Sequence, residues 1–292
     1  MQIGVGLPAM IPGAGPEHIL GWAMQAEESG FAGLGVLDRI VYGNYEPLIT
    51  LASAAAVTSR IRLTTTVLLG ATRGSGAVLA KQAATLQRMA GGRLTLGLAV
   101  GGREDDYTAT GTSFRSRGRD LDALIGSLRD IWQGGTGTGA GPIGPPLPDG
   151  APPLLIGGHS DAAMRRSARH AQGWISGSGS AEPFADRLAR LRHAWREEGR
   201  ADRPRVVALA YFALGAGAVA SVERYLGACY SGTGPYLRRV VAEALTTPQA
   251  VASAAAAHAA AGCDELILLP CDADLRQLTL LTEALRDRLE IL

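Results

Sequence analysis

Lysine is nearly absent from this chain of 292 residues: Lys81 is the only one, and arginine supplies the rest of the positive charge. An enzyme that works through a Schiff base needs a lysine at a strand end. Lys81 falls within a helical pattern, so that chemistry is not expected. Excess charge is lacking too, with 28 Lys and Arg against 27 Asp and Glu. Nucleic-acid binders carry a strong basic surplus, so no nucleic-acid partner is expected. Cysteine is scarce: Cys229, Cys263 and Cys271 form neither a CxxC pair nor a disulfide framework. No apolar run reaches the ~18 residues of a membrane span, so no membrane partner is expected. The opening "MQIGVGLPAM" has no basic leader. A reducing cytoplasm is the expected compartment.

Catalytic signatures are also missing. There is no HxH, HExxH or GxSxG. A metal hydrolase needs clustered histidines and carboxylates, and an esterase elbow needs its serine between glycines. Of the five histidines, only His159 falls at a strand end; His18, His170, His193 and His258 sit in helical patterns. No metal is expected. A chain with this profile often leaves the hard chemistry to an organic cofactor.

Apolar residues make up 47% of the chain, ample for a large core. Eight apolar runs recur: Gln2–Pro8, Gly33–Asp38, Arg62–Leu69, Arg93–Val100, Pro153–Gly158, Gly173–Ser178, Arg205–Leu214 and Asp264–Cys271. They are nearly continuous in apolar character, as parallel strands buried on both faces should be. Helical stripes lie between them, such as Leu79, Ala83, Leu86 and Ala90, or Leu275, Leu278, Leu285 and Leu289. A doubly wound open sheet uses the same units, but eight of them favour a (β/α)8 TIM barrel, a single domain over residues 1–292. Two segments depart from the minimal barrel. Residues 133–153 form a Gly/Pro-rich loop at the helix-to-strand end, away from the chemistry. Residues 218–262 hold about three short helices at the other end and are placed to form a lid.

A barrel keeps its chemistry on the loops after the strands. "GGHSD" (Gly157, Gly158, His159, Ser160, Asp161) offers close backbone approach, a cap and a helix N-terminus, the elements of a phosphate cradle. It reads equally as a plain turn. "GSGS", with Gly177 and Ser178, repeats the idea after strand six. In "GGREDDY", Gly101 opens the loop, and Arg103 reaches either an anion or its own neighbours Asp105 and Asp106. Arg115, Arg117 and Arg119 read as a solvated helix start.

The stretches "AEESGFAGLGVLDR", "EPLITLASAAAVTSRIRLTTTVLL", "LAKQAATLQRMAGGRLTLGLAVGGREDDYTATG" and "LLIGGHSDAAMRRSARHAQGW" resemble, in this order, the bacterial luciferase-like flavin-dependent oxidoreductases. The likeness covers most of the chain and rests on the ordered series rather than on one motif. It implies a (β/α)8 barrel that binds reduced FMN for monooxygenation, or the deazaflavin coenzyme F420 for hydride transfer. Many of the family's deazaflavin-binding members have a non-proline cis peptide in strand three, and the resemblance places that bond at Thr66–Val67. The phosphate of the cofactor is implied at the turns carrying Gly157, Gly158, His159, Ser160, Gly177 and Ser178. Val67, Leu69, Met10 and Trp174 are the expected apolar walls.

Two departures bear on the site. Where family members often carry a histidine after strand two, this chain has Asp38-Arg39. These two are the catalytic candidates, and Arg39 is suited to stabilise an anion or bind substrate, not to act as a base. Where the luciferases place a phosphate-binding arginine, this chain has Val100, with Arg103 a little further on. The resemblance implies a monooxygenase acting on a small, fairly apolar molecule. A deazaflavin hydride-transfer enzyme and a non-catalytic flavin-binding paralogue are the alternatives. It further implies a separate flavin reductase as partner and a homodimer through helices two and three, where Leu48, Leu51, Ala55, Leu79 and Leu86 either face a second copy or pack on their own barrel.

Overall fold

The computed structural model describes residues 1–135 and 141–288. The first half runs β1 (Gln2–Gly6), α1 (Pro16–Glu28), β2 (Gly33–Val36), α2 (Pro47–Ala56), β3 (Arg62–Thr65), β4 (Leu68–Leu69), α3 (Gly76–Met89), β5 (Leu94–Ala99), α4 (Glu104–Ala109) and α5 (Arg117–Trp132). The second runs β6 (Leu154–Gly157), α6 (Asp161–His170), β7 (Gly173–Ser176), α7 (Phe184–Glu197), β8 (Arg205–Phe212), α8 (Ala218–Cys229), α9 (Pro235–Glu243), α10 (Pro248–Ala261), β9 (Glu265–Pro270) and α11 (Arg276–Ala284). Every strand pairs in parallel with its neighbours. β1 joins β9 on one side and β2 on the other, and β3 and β4 both pair with β5, so the sheet closes on itself. This is the (β/α)8 barrel expected from the eight apolar runs. One run behaves differently: Arg62–Leu69 is interrupted between Thr65 and Leu68, so the third barrel strand comes in two pieces.

Side chains alternate across each strand, and the core divides accordingly. In β8, Val206, Ala208 and Phe212 face the surrounding helices. Val207, Leu209 and Tyr211 face the barrel interior, with Ile175, Ile267 and Leu269. Tyr225, Leu226 and Cys229 of α8 and Val240 of α9 join this inner cluster, so α8 and α9 cover the barrel mouth. α10 instead adds Val251 and Ala255 to the outer layer. Of the segment 218–262, α8 and α9 therefore lie over the mouth and α10 does not. At the other end, Glu265 is fully buried between Arg62 at 3.1 Å and Arg205 at 2.6 Å.

Helix starts follow their capping residues. Ser75, Ser160 and Thr247 accept backbone N–H groups at the starts of α3, α6 and α10. Leu48, Leu51, Ala55, Leu79 and Leu86 all lie in the outer core layer, packed on their own barrel. The large apolar side chains exposed on α2 and α3 are Ile49, Val78 and Met89. Two expectations fall partly outside the described residues: positions 136–140 of the Gly/Pro-rich loop, and Leu289 of the last stripe. Among the described residues, no helix is long and apolar enough to cross a membrane.

Candidate active site

The break in the third strand shapes the barrel mouth. The Thr66–Val67 peptide is cis, at the position the resemblance implied. Backbone groups freed from the ladder need other partners, and side chains provide them. The Thr65 hydroxyl accepts from the Gly97 N–H at 2.8 Å and donates to the Gly97 carbonyl at 2.8 Å. The Leu69 N–H donates to Asp38 Oδ2 at 2.8 Å. Asp38 is also paired with Arg73, whose Nη1 reaches Glu46 at 2.8 Å. Burial pushes the Asp38 carboxyl above its ordinary value, against the pull of Arg73 and of the Leu69 amide. Room for the bulge comes from glycines on the facing strands. A Cβ on Gly35 would meet Thr66 Cγ2 at 3.0 Å, and one on Gly157 would meet Val67 Cγ1 at 2.8 Å.

Over this bulge opens a cleft of about 570 Å³. Its floor is Thr66, Val67, Leu37, Ile175 and Leu269, without charge. One end is bounded by Gly157, Gly158, His159 and Ser160, and by Gly177 and Ser178. Val100 and Gly101 also line it. Ten of the eleven expected cofactor residues therefore share one cleft; Arg103 is not on its wall. Gly158 has φ +121°, a backbone state reserved for glycine. Ser160, not Asp161, caps α6, and Asp161 turns outward to Arg190 at 2.7 Å.

The polar end contains residues that the sequence pattern left at the surface. Arg115, Arg117 and Gly118 at the start of α5 line the cleft, as does Arg166 from α6. The N-termini of α5 and α6 converge on the cleft, so Arg117 is half-buried at its edge, against the solvated reading, while Arg115 stays exposed as that reading has it. Arg166 is held in place, donating from Nε to Asp122 at 2.5 Å and from Nη2 to the Gly118 carbonyl at 3.0 Å. Arg117 packs over the Phe114 ring at 3.8 Å, and its Nε is buried without a partner. Two helix N-termini and three guanidinium groups make a site for an anion.

His159 is half-buried beside this end, edge-on to Trp174. Its Nε2 is buried without a hydrogen-bond partner. Burial and the nearby Arg187 hold its pKa down to about 4, against the pull of the Gly177 backbone. The ring is neutral at neutral pH. Because the fold accepts the neutral form, the stability it contributes is complete above 6.5, the unfolded value, and is lost as pH falls toward 4. Between those limits the protein should lose about 2 kcal/mol more than His159→Gln does, after allowance for partial exposure. Urea unfolding of both proteins across this range measures the difference; parallel curves would mean that His159 titrates normally.

Tyrosines from β8, the end of α8 and α9 line the cleft. Tyr211 and Tyr230 share a hydroxyl–hydroxyl hydrogen bond at 2.6 Å, and Tyr236 donates to the Ser178 carbonyl at 3.2 Å. Burial pushes the Tyr211 and Tyr230 hydroxyls well up, so they stay protonated. Gly179 anchors α9: its N–H donates to Glu243 at 2.7 Å, and its carbonyl accepts from Arg239 at 2.9 Å.

The two catalytic candidates lie elsewhere. Asp38 is beneath the bulge, and Arg39 donates to Asp106 at 2.8 Å and Asp105 at 3.2 Å. Asp106 in turn accepts the N–H groups of Ile40 and Val41, which ties the loop after β2 to α4. Neither side chain lines the cleft. Arg103 instead reaches the Ser231 carbonyl between α8 and α9 at 3.1 Å. Of the expected apolar walls, Val67 is in place. Trp174 faces the outer layer, Met10 lies in the inner cluster but off the cleft wall, and Leu69 is buried and likewise off the cleft wall. Among the described residues, no three His, Cys, Asp or Glu side chains come together to hold a metal.

The profile described as luciferase-like monooxygenase matches residues 1–268. Pyrimidine monooxygenase RutA of Escherichia coli is 31% identical over 172 residues, 54% of this chain and 47% of RutA. The monooxygenase RslO1 from Streptomyces bottropensis superposes with a TM-score of 0.82 at 24% identity, covering 98% of this chain and 99% of that one. An F420-dependent secondary alcohol dehydrogenase superposes with a TM-score of 0.81 at 17% identity, covering 98% of each chain. The last two likenesses concern the fold.

Proposed function

The chain belongs to the luciferase-like monooxygenase family, and from that premise we propose that it is a reduced-FMN-dependent monooxygenase acting on a small, uncharged, fairly apolar molecule. The observation that carries this reading is the polarity of the cleft: an uncharged floor over the Thr66–Val67 bulge leads to a rim of two helix N-termini and three arginines. That gradient matches a flat apolar ring tethered by a phosphate. The residues fit such a group in detail. Gly101, Gly157, Gly158 and Gly177 leave the backbone bare along the cleft, and His159 Nε2 and Arg117 Nε await partners. When bound, reduced FMN supplies the electrons that activate oxygen, chemistry at which a deazaflavin is poor.

The chain's own residues would do the rest. The amides of Gly158 to Ser160, with Arg115, Arg117 and Arg166, would hold the phosphate. Val67 would support the ring from beneath, and Leu37, Ile175 and Leu269 would keep water from the reacting face. The Tyr211–Tyr230 pair uses one hydroxyl proton internally and leaves the other for a substrate oxygen. Charged substrates are disfavoured, because nothing on the floor would pair with them.

Anaerobic titration with reduced FMN and with reduced coenzyme F420, followed by oxygen uptake, tests the reading. Tighter binding of the deazaflavin, without oxygen consumption, would replace it with hydride transfer. Binding of either without turnover on any substrate would favour a non-catalytic paralogue. Arg166→Ala should weaken reduced FMN by about 10–100-fold, the value of one charge-assisted hydrogen bond. Unchanged affinity would move the phosphate away from α6.

A further inference from the structure

Behind the cleft, in the outer layer, lies a second cavity of about 360 Å³ that the proposed reaction does not use. It opens between β7, β8, α7 and α10, where Ala208, Ala210 and Ala254 are too small to fill the space. Gly177, Ser178 and Leu209 belong to the walls of both cavities. Arg187 of α7 lines this second cavity and is only 7% exposed. Its Nε and Nη1 are buried without a hydrogen-bond partner. Ser176 Oγ, on the same wall and 1% exposed, also lacks one.

Neighbouring groups do not accept these Arg187 N–H groups. Glu182 is taken by Arg190 at 2.5 Å. Glu243 accepts the Gly179 N–H at 2.7 Å. His258 gives its Nδ1 proton to the Ala254 carbonyl at 2.8 Å and packs on Phe184, 4.7 Å between ring centroids. Among the described residues, Arg187 has no hydrogen-bond partner for Nε or Nη1; it lies 5.9 Å from the Phe184 ring and feels the Glu243 and Glu182 charges only at longer range.

A buried guanidinium with free N–H groups demands oxygen acceptors. A carboxylate offers two in the spacing of the guanidinium fork. Glu182 and Glu243 on the same wall already offset part of the Arg187 charge, so a second negative charge on the ligand would find no cation left to pair with. We infer that this cavity is a binding site for a small carboxylate, gripped by Arg187 with the Ser176 hydroxyl as a further donor, and that it selects monoanions over dianions. The arginine-rich end of the cleft has the opposite preference. The inference does not depend on which flavin the cleft takes.

Thermal unfolding in sodium acetate, sodium sulfate and sodium chloride, at matched ionic strength, reads the site directly. Acetate should raise the midpoint saturably, by about 3 °C over chloride at tenfold excess over Kd. The rise should vanish in Arg187→Gln and also in Ala208→Val, which fills the cavity and leaves the arginine in place. Should Arg187→Gln fail to fold, Ala208→Val decides alone. Saturating FMN should not compete with acetate. No rise over chloride, or a rise that survives Ala208→Val, would overturn the site. A sulfate response as large as that of acetate would overturn the selectivity and point to the cleft.

Discussion

Asp38→Ala should cost about 3 kcal/mol of folding stability and weaken flavin binding, although Asp38 does not touch the cleft. Its carboxylate is buried, and it joins two things that the broken third strand would otherwise leave apart. It accepts the Leu69 N–H at 2.8 Å, and it neutralises Arg73. Removing one partner of a buried pair typically costs about 3–5 kcal/mol, because the other charge stays behind. Arg73 keeps Glu46 at 2.8 Å, which places the expected loss at the lower end of that range. The unpaired Leu69 N–H adds to it and frees β4, so the bulge beneath the cleft shifts. Asp38→Asn separates the two roles. Its amide oxygen still accepts from Leu69, while the charge is gone, so stability should fall and the bulge should hold. Urea unfolding and flavin titration on both variants measure this. An Asp38→Ala protein with an unchanged midpoint but no turnover would return Asp38 to the catalytic role that its sequence position suggests.

The same residue marks how far the sequence could be read. Asp38 and Arg39 follow the second apolar run, where a barrel keeps its chemistry, and local pattern has no means of showing that Arg73 and Asp106 take them away. The eight runs were legible because strands buried on both faces are apolar throughout. The break in the third was legible only through the family resemblance, which placed it at Thr66–Val67; local pattern does not show it, because "RLTTTVLL" is uniformly β-forming and the partners that stabilise the break are Gly97 and Asp38. Turn chemistry offered Gly157, Gly158, Ser160, Gly177 and Ser178 as one of two readings, since glycine and capping residues act locally, and the resemblance chose between them; all five line the cleft. Arg115, Arg117 and Arg166 were missed for the opposite reason. Their direction depends on how α5 and α6 converge, and helical periodicity does not encode which end of a helix meets the mouth. The tyrosines are a similar case: Tyr230 and Tyr236 acquire their role only when α8 and α9 fold over β7 and β8.

Gly97→Ala should destabilise the protein by about 3 kcal/mol, at the upper end of the usual cost of overpacking. Gly97 lies in β5 on the barrel interior, opposite the bulge. A Cβ there would run into the Thr65 carbonyl oxygen and meet Ile175 Cδ1 at 2.6 Å. The carbonyl belongs to backbone and has little freedom to move. It precedes the Thr66–Val67 peptide, and the Thr65 hydroxyl holds it to Gly97 through two hydrogen bonds. Any shift that relieves the methyl group must therefore break the pair that replaces the missing ladder. Damage to the fold and damage to the site should appear together, with flavin affinity falling in parallel with the urea midpoint. Thr65→Val tests the other half of the clasp. It keeps the volume and removes the hydroxyl, leaving the Gly97 N–H and carbonyl unpaired, at a cost of about 1–3 kcal/mol. Because both variants break one clasp, the double variant should lose less than the sum of the two. Full additivity would show that the glycine and the threonine act independently, and that the bulge is held by Asp38 alone.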